Sequence, residues 1–578
     1  MAIAASTRVL VASFGFALLT TACGSEATKQ PNVLLISLDS TRRDMLGVYG
    51  YQSPNAPGVS NTPNLEAFAA QGIVMEEAYS TTSWTLPSHV SMLLGEPELV
   101  HAVDLDHQRP DPDLPPLASL LKEAGYRTAG YFSAPYLESH FGFARGFDRY
   151  QGCYGEVMTS ANGLARLARD RVQLAEKSGD PAALVQAIKD ETAADQSMRA
   201  AVRRTLSSSQ VTGAVLEELD QAANGDQPFF VFAHFFDPHY DYVAPAPYDT
   251  RFDPDYTSSI SFDDLLGNPA ISLPDERTPF RRKQVLSERD LDHARALYAG
   301  ELAWTDSQLG LIFDKLDELG LTEDTLVIIT ADHGDEFFEH KNLGHRSTLF
   351  EEQVQVPMIL RYPSQLPKGE RRRGLVSTID VVPTVLELTG VESPEGLSSS
   401  SFAGLAEGED DAEGRFVLGR IVRHSSGRIQ LPGTLARDVA AVRMTLLETF
   451  RQGSIKVTRE RNWATLQEEV PEDVRAAFET QSAAIRSQER LTWIDIERFP
   501  MERPKQHSDK FDDPRAALAL LHFQECYREL LARRGQAGAV EAGARDAQIS
   551  ALEALGYAGV GLGASGDEDK FVFPPPGE

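Results

Sequence analysis

Residues 32–39 read Asn32-Val33-Leu34-Leu35-Ile36-Ser37-Leu38-Asp39, an apolar run that ends abruptly on a carboxylate. A strand that is apolar throughout is buried on both faces, as strands are in a parallel sheet covered by helices. Residues 229–233 and 325–330 repeat this pattern, and helical segments with an early proline and a final glycine lie at 62–72 and 116–125. Strands that alternate with helices predict a doubly wound α/β fold, with a large, mostly parallel central sheet flanked by helices.

The chain beyond residue 390 has a different character and predicts a smaller companion sheet. The main domain is expected at 31–390, and a loop rich in Ser, Gly, Glu and Asp separates it from a subdomain at 410–560. That subdomain is expected to be antiparallel, with short strand candidates at 416–418, 439–444 and 492–496. The acidic, proline-rich tail at 562–578 is typical of disorder. A polar, helix-favouring stretch at about 155–225 indicates an inserted helical cap, or a surface elaboration without a role in chemistry.

Acidic residues dominate the charge of the chain. It has 85 Asp and Glu against 55 Lys and Arg, which gives a formal net charge of −30. Such a surface repels nucleic-acid phosphates and anionic lipid headgroups, so we expect neither as a general partner. An anionic ligand would therefore need a local site with its own metal ion and positive side chains.

The N-terminus is typical of an export signal. Arg8 precedes an apolar run at 9–19 that is too short to span a bilayer comfortably, and small residues follow up to Cys23. Residues 1–23 therefore predict a signal peptide, and Cys23 resembles the cysteine of a bacterial lipobox, although Thr20 stands where leucine is usual. We expect an exported lipoprotein of the cell envelope, in the periplasm or at the outer membrane, whose membrane contact is a lipid anchor on Cys23. The alternative is an ordinary signal peptide cut near Cys23.

Two further cysteines, Cys153 and Cys526, complete the total of three. Export would permit a disulfide between them. Nothing in the sequence places them together, so two unpaired thiols are an equal alternative.

Three segments carry side chains suited to chemistry at one edge of the sheet. Asp39 ends the first strand, and Asp332 and His333 follow the run at 325–330. Ligands of open α/β sheets gather beyond the carboxyl ends of the strands, and a carboxylate beside an imidazole suits a divalent cation. The third segment places Thr85 beside a helix N-terminus, where free N–H groups favour an anion. Taken singly, Asp39 has an ordinary explanation as a turn residue, and Thr85 as a helix cap.

These segments recur in order in a known family. The chain resembles the sulfatase family of the alkaline-phosphatase-like superfamily over about residues 31–505, with the helical insertion unmatched. The motifs that carry the resemblance are 32–39 with Gly47-Val48-Tyr49-Gly50, Thr62-Pro63-Asn64-Leu65, Pro87-Ser88, Asp237-Pro238-His239, Asp332-His333-Gly334 and Ile494-Asp495-Ile496-Glu497-Arg498. The resemblance implies an alkaline-phosphatase-like sheet between helices, a smaller C-terminal sheet, and metal-dependent hydrolysis of an ester.

Site residues follow from the resemblance residue by residue. It implies one divalent metal ion (Mn, Zn or Ca), leaves a second ion open, and gives as ligands Asp39, Thr85, Asp332 and His333. Thr85 would also be the nucleophile. His239 aligns with a family histidine near the leaving group, and His345 falls where the family has a Lys or His that contacts the anion. Either histidine could instead be structural.

Two departures from the family pattern bear on the substrate. The family motif is Cys-x-Pro-Ser-Arg, or Ser for Cys, whose first residue becomes formylglycine; this chain reads Thr85-Leu86-Pro87-Ser88-His89. Threonine cannot give formylglycine, and His89 replaces the arginine that helps to hold it. Ser40 stands where many sulfatases have a second metal-binding Asp, which resembles branches with one transition metal.

The resemblance therefore implies a hydrolase of sulfate or phosphate esters, on a small-molecule, glycan-linked or lipid-linked anionic substrate. Threonine nucleophiles occur in related phosphodiesterases and phosphotransferases, so phosphoesters or phosphodiesters are favoured over sulfates. Two alternatives stay open: an envelope phosphotransferase, and an exported binding protein that kept the fold without turnover.

Overall fold

The computed structural model describes residues 30–105, 108–153, 208–239, 242–257, 286–340, 342–409, 415–431, 438–466, 470–486, 489–500, 502–535 and 538–539. The chain divides into residues 1–30 and 31–578, and every element below belongs to the second unit. The predicted signal peptide with Cys23, residues 154–207 of the predicted insertion, and the tail at 562–578 lie outside the described residues. Among the described residues, none of the helices has the length and apolar character that crossing a bilayer requires.

Helices and strands make up most of the described part of this second unit. The strands are β1 (Asn32–Leu38), β2 (Ile73–Tyr79), β3 (Gln108–Arg109), β4 (Arg127–Phe132), β5 (Arg149–Gly152), β6 (Phe229–Phe235), β7 (Thr325–Ala331), β8 (Glu336–Phe337), β9 (Leu343–Gly344), β10 (Gln355–Val356), β11 (Met358–Arg361), β12 (Glu370–Ser377), β13 (Phe416–Gln430), β14 (Asp438–Gln452), β15 (Ile455–Leu466), β16 (Arg490–Asp495) and β17 (Gly538–Ala539). The helices are α1 (Pro63–Ala69), α2 (Thr85–Leu94), α3 (Glu98–His101), α4 (Leu117–Glu123), α5 (Ser208–Ala223), α6 (Glu288–Glu318), α7 (Glu351–Val354), α8 (Val381–Thr389), α9 (Ala403–Glu407), α10 (Glu472–Arg486) and α11 (Pro514–Ala532).

A nine-stranded sheet forms the centre of the structure, and it confirms the predicted fold class. Its strand order is β10-β2-β11-β7-β1-β6-β4-β5, with β12 paired to β2. Strand β1 lies in the middle, parallel to both β6 and β7, and every residue of these three strands is buried. Strand β11 is antiparallel to β7 and to β2, which makes the sheet mixed although most of its pairs are parallel.

Helices cover the sheet, and one of them falls inside the predicted insertion. Helix α5 packs against β4, β6 and α6, and its Val211, Val215 and Leu219 are fully buried in the main core. Residues 208–223 therefore belong to the main α/β layer and not to a separate cap, because an apolar residue every fourth position gives the helix a core-facing side. Helix α6 begins with a capping box between Ser287 and Asp290.

A four-stranded antiparallel sheet, β13-β14-β15-β16, forms the smaller C-terminal layer, as predicted. Helices α10 and α11 pack against β15. The guanidinium of Arg420 joins this sheet to the main domain: its Nε donates to Asp104 Oδ1 at 2.8 Å and its Nη1 to Glu448 Oε1 at 2.5 Å, all buried. The Arg420 amide also donates to the Thr81 carbonyl at 2.7 Å, four residues before Thr85. The small sheet therefore supports the loop that leads into α2.

Cys153 and Cys526, whose pairing the sequence left open, do not form a disulfide. Cys153 is a free thiol buried in the main core, and Cys526 is a free, half-buried thiol against the C-terminal cluster. Burial raises the pKa of both thiols, that of Cys153 to about 11 and that of Cys526 to about 12. Both are therefore protonated and unreactive near neutral pH.

Candidate active site

The ends of two central strands bring a cluster of acids and imidazoles together. Leu38 of β1 pairs with Ala331 of β7, so the next residues along each chain, Asp39 and Asp332, lie side by side. His333 Nε2 is 3.3 Å from Asp332 Oδ2 and 3.9 Å from Asp39 Oδ1. All three of these polar side chains are fully buried, which is costly unless another charge compensates them.

Thr85 is the first residue of α2, and its hydroxyl points into this cluster. Thr85 Oγ1 is 3.3 Å from His333 Nε2, and the side chain is buried. The N-cap position of α2 belongs to Trp84, which makes no side-chain capping bond. The hydroxyl of Thr85 is therefore directed at His333, and the ordinary explanation of Thr85 as a helix cap does not describe its position.

The donor atoms of this cluster fit one divalent metal ion. Ligand atoms of Asp39, Asp332 and His333 lie within 4.8 Å of one another. Oδ1 of Asp332 accepts from the amides of Ser40 at 3.0 Å and His333 at 2.8 Å, whereas its Oδ2 is buried with no hydrogen-bond partner. An orphaned carboxylate oxygen 3.3 Å from an imidazole nitrogen suits neighbouring ligands of one ion. Carboxylate oxygens and an imidazole nitrogen are common ligands of divalent cations in proteins.

Burial sets the protonation of this cluster when no cation compensates it. Burial raises the pKa of Asp39 to about 7, against the opposing effect of His345. Burial and the charge of Asp39 raise the pKa of Asp332 well above its usual range. Burial also lowers the pKa of His333 well below its usual range, with a smaller contribution from His345. A divalent cation would replace the protons on the acids and meet a neutral imidazole.

Two further buried histidines, His234 and His89, contact Asp39 and Thr85. His234 Nε2 is 3.1 Å from Asp39 Oδ2. His89 Nδ1 lies 2.8 Å from the carbonyl of Thr85, and His89 Nε2 lies 2.9 Å from Ser37 Oγ. Burial lowers the pKa of both histidines, that of His234 to about 3. His89, which stands in place of the family arginine, therefore supports Thr85 as a neutral hydrogen-bonding group.

The remaining two predicted residues lie against the same cluster. The ring of His345 is 4.2 Å from the ring of His333 and 5.1 Å from that of His239, centroid to centroid. His239 also stacks on Phe236, with centroids 4.3 Å apart. The structure thus brings together all six residues predicted as site residues, which are Asp39, Thr85, His239, Asp332, His333 and His345.

Three nearby residues had no role in the sequence-based prediction. His234 interrupts the apolar run of β6, and a polar residue in a fully buried strand was the signal that could have found it. Asp335 directly follows the Asp332-His333-Gly334 motif, and its Oδ1 is 2.6 Å from His345 Nδ1. Tyr242, whose hydroxyl donates to Asp335 Oδ2 at 2.8 Å, carries no signal in its local sequence.

Comparison with known proteins identifies the family. The family model named Sulfatase matches residues 31–391. The chain belongs to the sulfatase family. The uncharacterized sulfatase YidJ of Escherichia coli (strain K12) is 24% identical over 391 residues, covering 66% of this chain and 72% of the relative. Arylsulfatase K of Homo sapiens is 23% identical over 415 residues, covering 69% and 70%.

Solved structures share the fold of this chain. The phosphonate monoester hydrolase of Agrobacterium radiobacter has a TM-score of 0.56 at 20% identity, covering 87% of this chain and 96% of that one. The chain is therefore an ester hydrolase of the sulfatase family, whose members are metal-dependent, and the cluster at the ends of β1 and β7 is its candidate metal site.

The sulfatase motif Asp-His-Gly needs its glycine here for space. A Cβ on Gly334 would lie 2.3 Å from the backbone oxygen of Glu352 and 2.9 Å from Cγ of Arg42. The Gly334 amide donates to the carbonyl of Gln353 at 3.0 Å. The backbone after His333 therefore runs too close to the segment at 352–353 for any side chain.

Proposed function

We propose that this sulfatase-family hydrolase cleaves phosphate esters or phosphodiesters, with the hydroxyl of Thr85 as nucleophile. The observation that carries the proposal is the position of Thr85 Oγ1, 3.3 Å from His333 Nε2 in a buried cluster at a helix N-terminus. Free N–H groups at such a terminus favour an anionic group. A hydroxyl at this position can attack an anionic ester bound at the helix N-terminus, whereas a capping hydroxyl would be hydrogen-bonded to the backbone of its own helix.

The metal ligands would be Asp39, Thr85, Asp332 and His333. A divalent ion held there lowers the pKa of a coordinated hydroxyl and offsets negative charge on the transferred group. The chain's own residues supply the remaining functions. His345 would contact a non-bridging oxygen of the substrate, and His239 would give a proton to the leaving oxygen.

The proposed reaction has two balanced steps. In the first, Thr85 Oγ1 releases its proton to solvent and bonds to phosphorus, the ester bond breaks, and the leaving alcohol takes up a proton from His239. In the second, water attacks phosphorus and gives up a proton, and the oxygen of Thr85 leaves and takes up a proton from solvent. His239, left without its proton by the first step, would accept the proton from water.

The choice of phosphorus over sulfur rests on the second step. Formylglycine releases sulfate by collapse of a hemiacetal, a route that threonine lacks. An ester on Thr85 must instead be cleaved by attack of water on the central atom. The similar proteins and solved structures are named as sulfatases and as phosphonate monoester hydrolases. The test therefore includes both sulfur esters and phosphorus esters. We also propose, from the pattern at residues 1–23 alone, that the protein is exported with a lipid on Cys23.

The test is release of p-nitrophenol from its sulfate, phosphate monoester, phosphodiester and phosphonate esters by the metal-loaded protein and by Thr85→Ala. We expect the phosphorus esters to be preferred, and kcat/KM in Thr85→Ala to fall by about 1,000-fold or more. The matched control is Thr389→Ala, since Thr389 is also buried but spends its hydroxyl on the Val385 carbonyl of its own helix, at 2.7 Å. Equal rates in wild type and Thr85→Ala, or sulfate cleavage untouched by the substitution, would show that Thr85 is not the nucleophile.

A further inference from the structure

Asp335 and His345 form a buried pair at the edge of the metal-ligand cluster. Asp335 Oδ1 and His345 Nδ1 are 2.6 Å apart, with the two side chains no more than 1% exposed. The ring of His345 packs on the ring of His333, a candidate metal ligand, at a centroid distance of 4.2 Å. Because Nδ1 is turned towards Asp335, Nε2 is the ring nitrogen that would meet a substrate bound at Thr85.

Two explanations compete for this pair. Asp335 and His345, with His333, are close enough to suggest ligands of a second metal ion. However, two ligand atoms on one tetrahedral ion stand about 3.3 Å apart when each metal–ligand bond is about 2.0–2.1 Å. A separation of 2.6 Å is that of a short charge-assisted hydrogen bond instead. The pair therefore has the geometry of an imidazole N–H donating to a carboxylate.

The other oxygen of Asp335 is held as firmly as the first. The hydroxyl of Tyr242 donates to Asp335 Oδ2 at 2.8 Å, and the tyrosine is fully buried. Its ring packs against Tyr298 and Phe337, with centroids 5.3 Å and 5.6 Å away. The backbone oxygen of Asp335 accepts from Arg42 Nη1 at 3.0 Å. Both ends of the carboxylate and its backbone are thus fixed, so its orientation is rigid.

We propose that Asp335, clamped by Tyr242, positions the imidazole of His345 for contact with the anionic group of the substrate. This inference rests on the proposed function, in which His345 binds a non-bridging oxygen. A carboxylate on Nδ1 keeps the proton on that nitrogen and sets the rotation of the ring, which directs Nε2 at the reacting group. Asp335 is a positioning residue: it acts through His345 and touches neither substrate nor metal.

The experiment is a double-mutant cycle on the full metal-loaded chain, comparing His345→Gln, Asp335→Asn and the double variant. The measured quantities are kcat, KM, the inhibition constant of inorganic phosphate, bound metal per chain and the thermal midpoint. We expect Asp335→Asn to lower kcat/KM by about 10- to 100-fold with unchanged metal content. In the His345→Gln background the same change should have no further effect, because residues that act as one unit are not additive.

Two further variants keep the test decisive. Tyr242→Phe removes one hydrogen bond without changing the ring, and should lower kcat/KM and weaken phosphate binding in the same direction as Asp335→Asn, by a smaller factor. The matched control is Asp253→Asn, since Asp253 also holds a histidine, with Oδ2 at 2.8 Å from His293 Nδ1, but against helix α6. Its kinetic constants should equal those of wild type.

Three results would overturn the inference. They are a kcat/KM for Asp335→Asn within twofold of wild type, losses that multiply in the double variant, and loss of a bound ion in Asp335→Asn, which would make Asp335 a ligand. The proposed function fails by a different result, namely full activity in Thr85→Ala. Normal activity in Asp335→Asn beside an inactive Thr85→Ala would remove this inference alone.

Discussion

Removing the divalent ion should make the stability of the protein fall with rising pH between about 4 and 7. The cause is the pair of buried acids, Asp39 and Asp332, whose charged forms are disfavoured by burial. In the metal-free protein burial raises the pKa of Asp39 from 3.8 to about 7. Over that interval the unfolded chain releases a proton that the folded chain retains, so the free energy of unfolding falls as pH rises.

The size of the effect follows from the shift. At 1.36 kcal/mol per pKa unit, Asp39 alone lowers the free energy of unfolding by about 4 kcal/mol by pH 7. This loss levels off above the pKa that Asp39 has in the folded protein. Asp332, whose pKa burial raises well above its usual range, adds to the loss. In the metal-saturated protein both acids are ionised before and after unfolding, so the fall is absent. Other groups whose pKa is raised by burial, such as Glu98, contribute equally to the metal-free and the metal-saturated protein. Their contributions therefore cancel in the difference in stability between the two forms.

The assay is thermal unfolding of chelator-stripped and Mn²⁺-saturated protein from pH 4.5 to 8, with metal binding followed by calorimetry in buffers of different ionisation enthalpy. The gap in stability between the two forms should widen steadily up to about pH 7, and binding at pH 6 should release about one proton or more per ion. Asp332→Asn should flatten the pH dependence of the stripped protein and weaken binding. Parallel pH profiles for the stripped and saturated forms, with no proton release, would refute the assignment of these acids as metal ligands.

Three further predictions concern residues outside the metal-ligand set. Burial raises the pKa of Glu98 to about 8, so Glu98→Gln should match wild type in stability near pH 4 and exceed it by up to about 4 kcal/mol at pH 8, measured by denaturant titration. Gly334→Ala, whose Cβ would lie 2.3 Å from the backbone oxygen of Glu352, should lower both the thermal midpoint and metal affinity; Gly213→Ala, in open space on α5, should instead stabilise by about 0.5–1 kcal/mol. Arg420→Met removes the buried cation that Asp104 and Glu448 share. Because Asp104 keeps Arg534, and Glu448 keeps Arg459 and Arg461, the loss of unfolding free energy should be about 2 kcal/mol, and equal stability to wild type would count against the network.

The candidate metal site could be predicted because its residues follow continuous apolar strands. Residues 32–38 and 325–331 are buried at every position, and their apolar character alone indicates central parallel strands. Parallel neighbours end at the same edge of the sheet, so Asp39 and Asp332 had to lie close together once both strands were assigned. The sequence left the role of the Thr85 hydroxyl open, because a threonine at this position is equally expected as a helix cap. The assignment of the N-cap to Trp84 separates the two explanations.

The C-terminal sheet was predicted in outline but not in extent. Strand β15 was not predicted, and β14 runs over 15 residues where the sequence indicated six. The reason is that charged residues alternate along these strands yet lie buried, as Lys456 and Glu448 do. Lys456 Nζ donates to Glu502 Oε1 at 2.7 Å, and Glu448 binds Arg420. A segment rich in charged residues is interpreted as a solvent-exposed loop unless the ion-pair partners of those residues are known.

The support of His345 could not be predicted for a related reason. The link between Tyr242 and Asp335 joins residues 93 positions apart, in a segment with no motif of its own. Asp335 also directly follows a metal-binding motif, where another carboxylate is most simply interpreted as another ligand. The distance of 2.6 Å to His345 and the bond from Tyr242 favour a positioning role over a ligand role. The distinction bears on the whole site, because a chain with a net charge of −30 needs a directed imidazole if it is to hold an anion beside two buried carboxylates.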